Sequence, residues 1–102
     1  MKTINGCEEL SELFSKLRTP AVEPWILPSS GLVNLLGRFL TGEISAENLE
    51  TLADALEMNE AVVYEQSREE IIADALFVLS NPAINEAITA DIVTTLIQRL
   101  KN

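Results

Sequence analysis

Glu47, Glu50, Asp54 and Glu57 recur at intervals of three and four residues. On a helix turning about 100° per residue they fall in one stripe, roughly 80–160° from the Leu49/Leu56 line. No Lys or Arg lies within that segment. Like charges at this spacing cost a few tenths of a kcal/mol per pair. The stripe is therefore either a solvated helix face or a surface for something basic. The chemistry open to it is charge-assisted hydrogen bonding to Lys and Arg. Ten acids lie between Glu43 and Asp74, opposed only by Arg68. If the segments adjoin, Glu60, Glu65 and Glu69 extend the stripe into one acidic patch.

Other chemistries lack their residues. There is no His, which removes the Ser-His and Cys-His dyads and the commonest general base. The single cysteine, Cys7, permits neither an internal disulfide nor a cysteine zinc site. The glycines make no phosphate loop, and no calcium-loop motif occurs. An enzyme is not expected, nor is a metal or cofactor.

The chain has 102 residues, 47% of them hydrophobic, enough for one domain with a core. Its net charge is −9. Phosphate contacts need Lys and Arg, so nucleic acid and anionic membrane surfaces are not expected partners. The N-terminus carries no apolar run, and no stretch approaches the ~20 apolar residues of a membrane span. A cytoplasmic protein is expected.

The stripe must be positioned by helices. Leu32, Leu35, Leu36, Phe39 and Leu40 form one apolar face, entered from Pro28-Ser29-Ser30-Gly31 with a serine as cap. Gly42 then stops the helix. Ser45 caps the next one, with Ile44 and Leu49 at the positions of a hydrophobic staple. Leu49, Leu52, Ala53 and Leu56 form its inner face. These two helices must fold back on each other.

Around this pair, a first helix over about residues 6–18 is expected, with Leu10, Leu13, Phe14 and Leu17 inward. Pro20, Pro24 and Pro28 make residues 18–28 a loop. Its apolar Trp25-Ile26-Leu27 either closes one end of the core or offers Trp25 as a partner anchor. Val62-Val63-Tyr64 favours strand by residue type. A lone strand has no partner, so a short connection is expected there. Ser67-Arg68-Glu69-Glu70 matches a capping box. The helix that follows carries Ile72, Ala75, Leu76 and Leu79, widened by Ile71, Phe77 and Val78, as if buried on more than one side, and ends at Asn81-Pro82. Residues 83–87 have room for one helical turn. Thr89 caps a last helix with Val93, Leu96, Ile97 and Leu100 inward. The expected fold is all-α: a single domain over 1–102, a bundle of about five helices with short loops.

Three segments together resemble small helical bacterial immunity proteins, of the contact-dependent growth inhibition and colicin-like kinds. They are Phe39-Leu40-x-Gly42-Glu43-Ile44-Ser45-x-Glu47, Leu52-Ala53-x-Ala55-Leu56-Glu57-Met58 and Leu76-Phe77-x-Leu79-x-Asn81-Pro82. The resemblance covers about Leu32–Leu100. It implies a role in bacterial competition: binding and neutralising a cognate toxin, often a basic C-terminal nuclease domain. Acidic side chains would stand in for substrate phosphates. Glu47, Glu50, Asp54 and Glu57 would pair with toxin Lys and Arg, and Tyr64 and Trp25 would supply apolar anchors.

Other readings stay open. Ile44-Ser45-Ala46-Glu47-x-Leu49-x-x-Leu52-Ala53-x-Ala55-Leu56 also looks like part of a helix-turn-helix regulator, although its recognition helix would carry acids where bases need Arg, Lys, Asn or Gln. An acyl carrier protein would need an Asp-Ser-Leu-type attachment serine, which neither Ser30-Gly31-Leu32 nor Ser45-Ala46-Glu47 matches. A generic acidic interaction module fits as well.

Overall fold

In a computed structural model, residues 2–18, 24–81 and 88–101 are described. Five helices account for most of them: α1 (Leu10–Arg18), α2 (Ser29–Leu40), α3 (Ala46–Met58), α4 (Glu69–Ser80) and α5 (Ala90–Lys101). The fold is a small all-α bundle carrying a minor parallel sheet, β1 (Lys2–Thr3), β2 (Trp25–Leu27) and β3 (Val62–Tyr64), in the order β1-β2-β3. The radius of gyration is 12.5 Å, matching the ~13 Å of one compact domain of this length.

The helices pack in two main pairs, α2 on α5 and α3 on α4, with α1 against α3. Most periodic positions do what their spacing predicts; the exception is Leu40, expected on the inner face of α2 but 42% exposed at its last turn. Leu32, Leu35 and Leu36 of α2, Leu49, Leu52, Ala53 and Leu56 of α3, and Ile72, Ala75, Leu76 and Leu79 of α4 are buried. Val93, Leu96 and Leu100 of α5 complete the same core. Each fully buried Leu or Ile contributes about 1.5–3 kcal/mol relative to exposure.

The punctuation between α2 and α3 is as expected. Gly42 has φ +85°, a left-handed conformation that a glycine adopts without steric cost. Ser45 Oγ accepts the backbone N–H of Asn48 at 3.1 Å, and Ile44 and Leu49 are both buried. Before α5, Thr89 Oγ1 accepts the Ile92 N–H at 3.3 Å.

The segment Val62–Tyr64 is a strand after all. Its partner is Trp25–Leu27, aligned Trp25 with Val62, Ile26 with Val63 and Leu27 with Tyr64. The same β2 pairs with Lys2–Thr3 on its other side. Parallel strands require long crossovers, so neither partner is visible near the other in sequence. Trp25 and Leu27 point into the core and Ile26 is half-buried.

Three helix starts differ from expectation. α1 begins at Leu10 rather than near residue 6, because Asn5–Glu8 forms its own turn. Asn5 Oδ1 accepts the Cys7 N–H at 2.7 Å, and the Glu8 carboxylate accepts the Asn5 and Gly6 N–H groups at 3.3 and 2.9 Å. Gly6 holds φ +82° and lies so close to α2 that an added Cβ would sit 2.1 Å from Gly31 O. At α2, neither serine caps. Pro28 is the cap residue, with no side-chain cap bond of its own. At α4, Ser67 lies in a 3-10 turn over Gln66–Arg68 and makes no capping bond; the helix starts at Glu69. The expected turn over 83–87 and the stop at Pro82 lie outside the described residues.

Arg38 ties the N-terminal segment down. Its Nη1 donates to Gly6 O at 2.9 Å and Glu8 O at 2.7 Å, while its Nε donates to the Glu43 carboxylate.

Candidate binding surface

α3 is held by its buried leucines, and this fixes the opposite face. Glu47, Asp54 and Glu57 are exposed and Glu50 is half-buried at the edge of the stripe. Among the described residues none of the four forms an ion pair; the two ion pairs are Arg38–Glu43 and Arg99–Asp74, the latter at 3.4 Å. The stripe is therefore one surface, without paired counterions among the described residues.

The flanking acids divide. Glu60 and Glu69 are exposed and form no ion pair among the described residues. Glu65 is turned inward. Its Oε1 accepts the Ser29 backbone N–H at 2.9 Å and the Ser29 hydroxyl at 3.2 Å. It is a cap for α2 supplied from the end of the neighbouring strand β3, placed where the helix dipole favours an anion. Glu65 is thus engaged within the fold, in a role that sequence spacing could not reveal.

Trp25 is no surface anchor. As the first residue of the central strand it is only 8% exposed, and Lys16 Nζ stands 5.3 Å from its ring centroid. Its place is in the core, the first of the two roles that its loop allowed. Tyr64 is half-buried on β3. Burial, then the charges of Glu57 and Glu69, pushes its phenol above the ordinary pKa of 10.0. An anion there would be both poorly solvated and repelled.

Two apolar side chains missed as surface residues are prominent in the structure. Met58, the last residue of α3, is 75% exposed, and Phe77 of α4 is 49% exposed. The helical wheel held the signal for Met58, which falls about 100° from Glu57 and far from Leu56. Phe77 was expected inward because its helix is apolar almost all round. It instead shares a face with Glu70 and Asp74 at i−7 and i−3, both exposed.

Glu57 joins the ends of the two helices. Its carboxylate accepts the Ser80 hydroxyl from the last residue of α4. Asn59, just past α3, donates to Leu17 O near the end of α1 at 3.0 Å. Three helix C-termini therefore meet at one corner. Neither α3 nor α4 carries a basic residue in its last turn.

A shallow cavity of about 350 Å3 lies elsewhere, lined by Ser29, Glu65, Arg68 and Lys101 among others. Two of its three charges are committed to helix ends: Glu65 to α2, and Arg68 to α5 through Leu100 O. Among the described residues, no group of three His, Cys, Asp or Glu is placed to hold a metal ion, and no helix is long and apolar enough to cross a membrane. Comparison with known proteins gives no match among protein families, curated sequences or solved structures.

Proposed function

We propose that this chain is an immunity protein acting in the cytoplasm, which binds a basic bacterial toxin domain and neutralises it. The observation that carries this reading is the α3 stripe. Glu47, Glu50 and Asp54 line one face of a helix and form no ion pair among the described residues. They are available to the Lys and Arg of a nuclease, where they take the place of substrate phosphates. The net charge of −9 steers such a partner at long range. Exposed ion pairs contribute only about 0–1 kcal/mol each, so tight capture also needs apolar contact.

The test is binding to the toxin domain encoded beside this gene. The charge-reversed variant Glu50→Lys/Asp54→Lys/Glu57→Lys should lose affinity by at least about 100-fold, fail to protect cells from that toxin, and keep a cooperative thermal transition. Unchanged affinity in a folded variant removes the α3 site. A wild-type protein that neither binds nor protects removes the immunity function.

A further inference from the structure

We infer that Asn5-Gly6 is a self-modifying site, where the fold drives closure of the two residues to a succinimide that water opens to aspartate or isoaspartate. The site lies in the turn before α1 and is independent of the α3 surface. Asn5-Gly6 is the only Asn-Gly pair in the sequence. Glycine has no side chain to hinder its own nitrogen as a nucleophile. Packing accounts for the glycine, through its φ of +82° and its fit against Gly31 O. It does not account for the asparagine, since an aspartate closes the same kind of turn.

Three hydrogen bonds arm the pair. The Gly6 N–H donates to Glu8 Oε1 at 2.9 Å, which sets a carboxylate against the proton that must leave. A peptide N–H lies in the amide plane, so this bond leaves the faces of the nitrogen open. Asn34 Nδ2 donates to Asn5 O at 2.8 Å. It draws charge from the same peptide and makes its N–H easier to lose. Asn5 Oδ1 accepts the Cys7 N–H at 2.7 Å, which turns the carboxamide back toward the Gly6 peptide and polarises Cγ. Glu8 has no ion pair among the described residues. Arg38, the cation at this turn, is bound instead to Gly6 O, Glu8 O and the Glu43 carboxylate.

The Gly6 amide proton passes to Glu8 as the nitrogen forms its bond to Asn5 Cγ. The Oδ1 oxyanion rests on the Cys7 N–H. The Cγ–Nδ2 bond then breaks, and Nδ2 leaves as ammonia with the proton from Glu8. Asn5 is exposed, so ammonia departs into solvent and water reaches the ring. Water adding at Cγ gives aspartate on the original backbone. Water adding at the main-chain carbonyl gives isoaspartate, whose backbone is one carbon longer. Gly6 is too closely fitted for that extra atom: a Cβ there would already meet Gly31 O at 2.1 Å. Isoaspartate therefore pulls Gly6 O and Glu8 O off Arg38. It also loosens Ile4, which is buried and donates its N–H to Ile26 O of β2. The reaction is a slow timer on the tie between this turn and α2.

The test incubates purified protein at neutral pH and follows ammonia loss and isoaspartate at Asn5 by peptide mapping. The folded chain should convert at least about tenfold faster than the same chain unfolded in guanidinium chloride. Glu8→Gln keeps an acceptor for the Gly6 N–H but no base, and should slow the folded chain by about tenfold or more. Its remaining rate should rise with pH as hydroxide takes over, whereas the wild-type rate stays nearly level across neutral pH. Asn34→Ala should slow conversion by about threefold or more. Chains bearing isoaspartate should melt at a lower temperature than those bearing aspartate, and Asn5→Ser should hold one constant Tm throughout. Circular dichroism checks the fold of each variant. If the unfolded chain converts as fast as the folded one, the turn does not drive the reaction and the proposal is overturned. A wild-type rate in folded Glu8→Gln overturns it as well. Isoaspartate that leaves stability unchanged overturns the timer.

Discussion

Glu65 Oε1 accepts the backbone N–H of Ser29 at 2.9 Å, across 36 residues of sequence. The bond fastens the segment after β3 to the start of α2, whose cap residue, Pro28, has no side-chain donor or acceptor to offer. Glu65→Ala should lower stability by about 1–2 kcal/mol, the range for losing a helix cap. Glu65→Gln, which keeps the acceptor and loses the charge, should cost less than half of that. Thermal or urea unfolding checks both, and affinity for a basic partner should stay the same in each.

The glycines make a graded test of the contact between the N-terminal turn and α2. A Cβ on Gly31 would lie 2.2 Å from Ile4 O, and one on Gly6 would lie 2.1 Å from Gly31 O with φ at +82°. Gly31→Ala and Gly6→Ala should each destabilise by about 2 kcal/mol or more, because backbone must move. Gly37, inside α2, has nothing within 4 Å. Gly37→Ala should therefore stabilise by about 0.5–1 kcal/mol. Urea midpoints at constant m-value measure all three.

Tyr64 gives stability a defined alkaline dependence. Its folded pKa lies above the ordinary 10.0 through burial and the charges of Glu57 and Glu69. Below pH 10 the phenol is neutral in both folded and unfolded chains, and the stabilisation is fully present. Above it the unfolded chain releases the proton first, so stability declines as pH rises toward the folded value. Tyr64→Phe should remove that part of the decline. Tyr64 is the only tyrosine, so absorbance at high pH reports its titration directly, and Glu57→Gln should move it back toward 10.

Neutralising the α3 stripe should separate stability from binding. Glu50→Gln/Asp54→Asn removes like charges without breaking an ion pair of the described structure. Stability should stay within about 0.5 kcal/mol of wild type or rise slightly, with the rise largest at low salt. Affinity for a basic partner should fall. A loss of stability above about 1 kcal/mol would show that these carboxylates hold the fold together.

Arg38 carries a larger share of the fold than a surface arginine does. Arg38→Ala removes its donors to Gly6 O and Glu8 O and the ion pair to Glu43, and should cost about 2 kcal/mol or more. Arg38→Lys should recover little, because one ammonium cannot reproduce the fork of the guanidinium. Hydrogen exchange should speed up at Ile4 and Leu13 in both variants.

Helical spacing predicted α2, α3 and α5 closely because each carries one dominant apolar face, with only Leu40 and Met58 standing out of it at the helix ends. The same reasoning misplaced Phe77, since α4 is apolar almost all round and the period loses its contrast. The strands were misjudged for another reason. Val62-Val63-Tyr64 and Trp25-Ile26-Leu27 each carry strand-type residues, yet their pairing spans 37 residues and each is only three residues long, too short for alternation to register. The carboxylate stripe was legible because it lies on one regular helix. The inward turn of Glu65 and the hydrogen bond between Glu57 and Ser80 were not, because both depend on how separate elements come together.

The exposed turn at Thr41–Glu43 divides the chain into two stretches that cannot do without each other. The leucines of α2 face α5 across this divide, and β2, from the first stretch, is flanked by β3 from the second. Severed there, each portion would be left with open apolar flanks and an unfinished sheet. The two portions should therefore reassemble when mixed, as a split protein whose halves are invisible apart and native together.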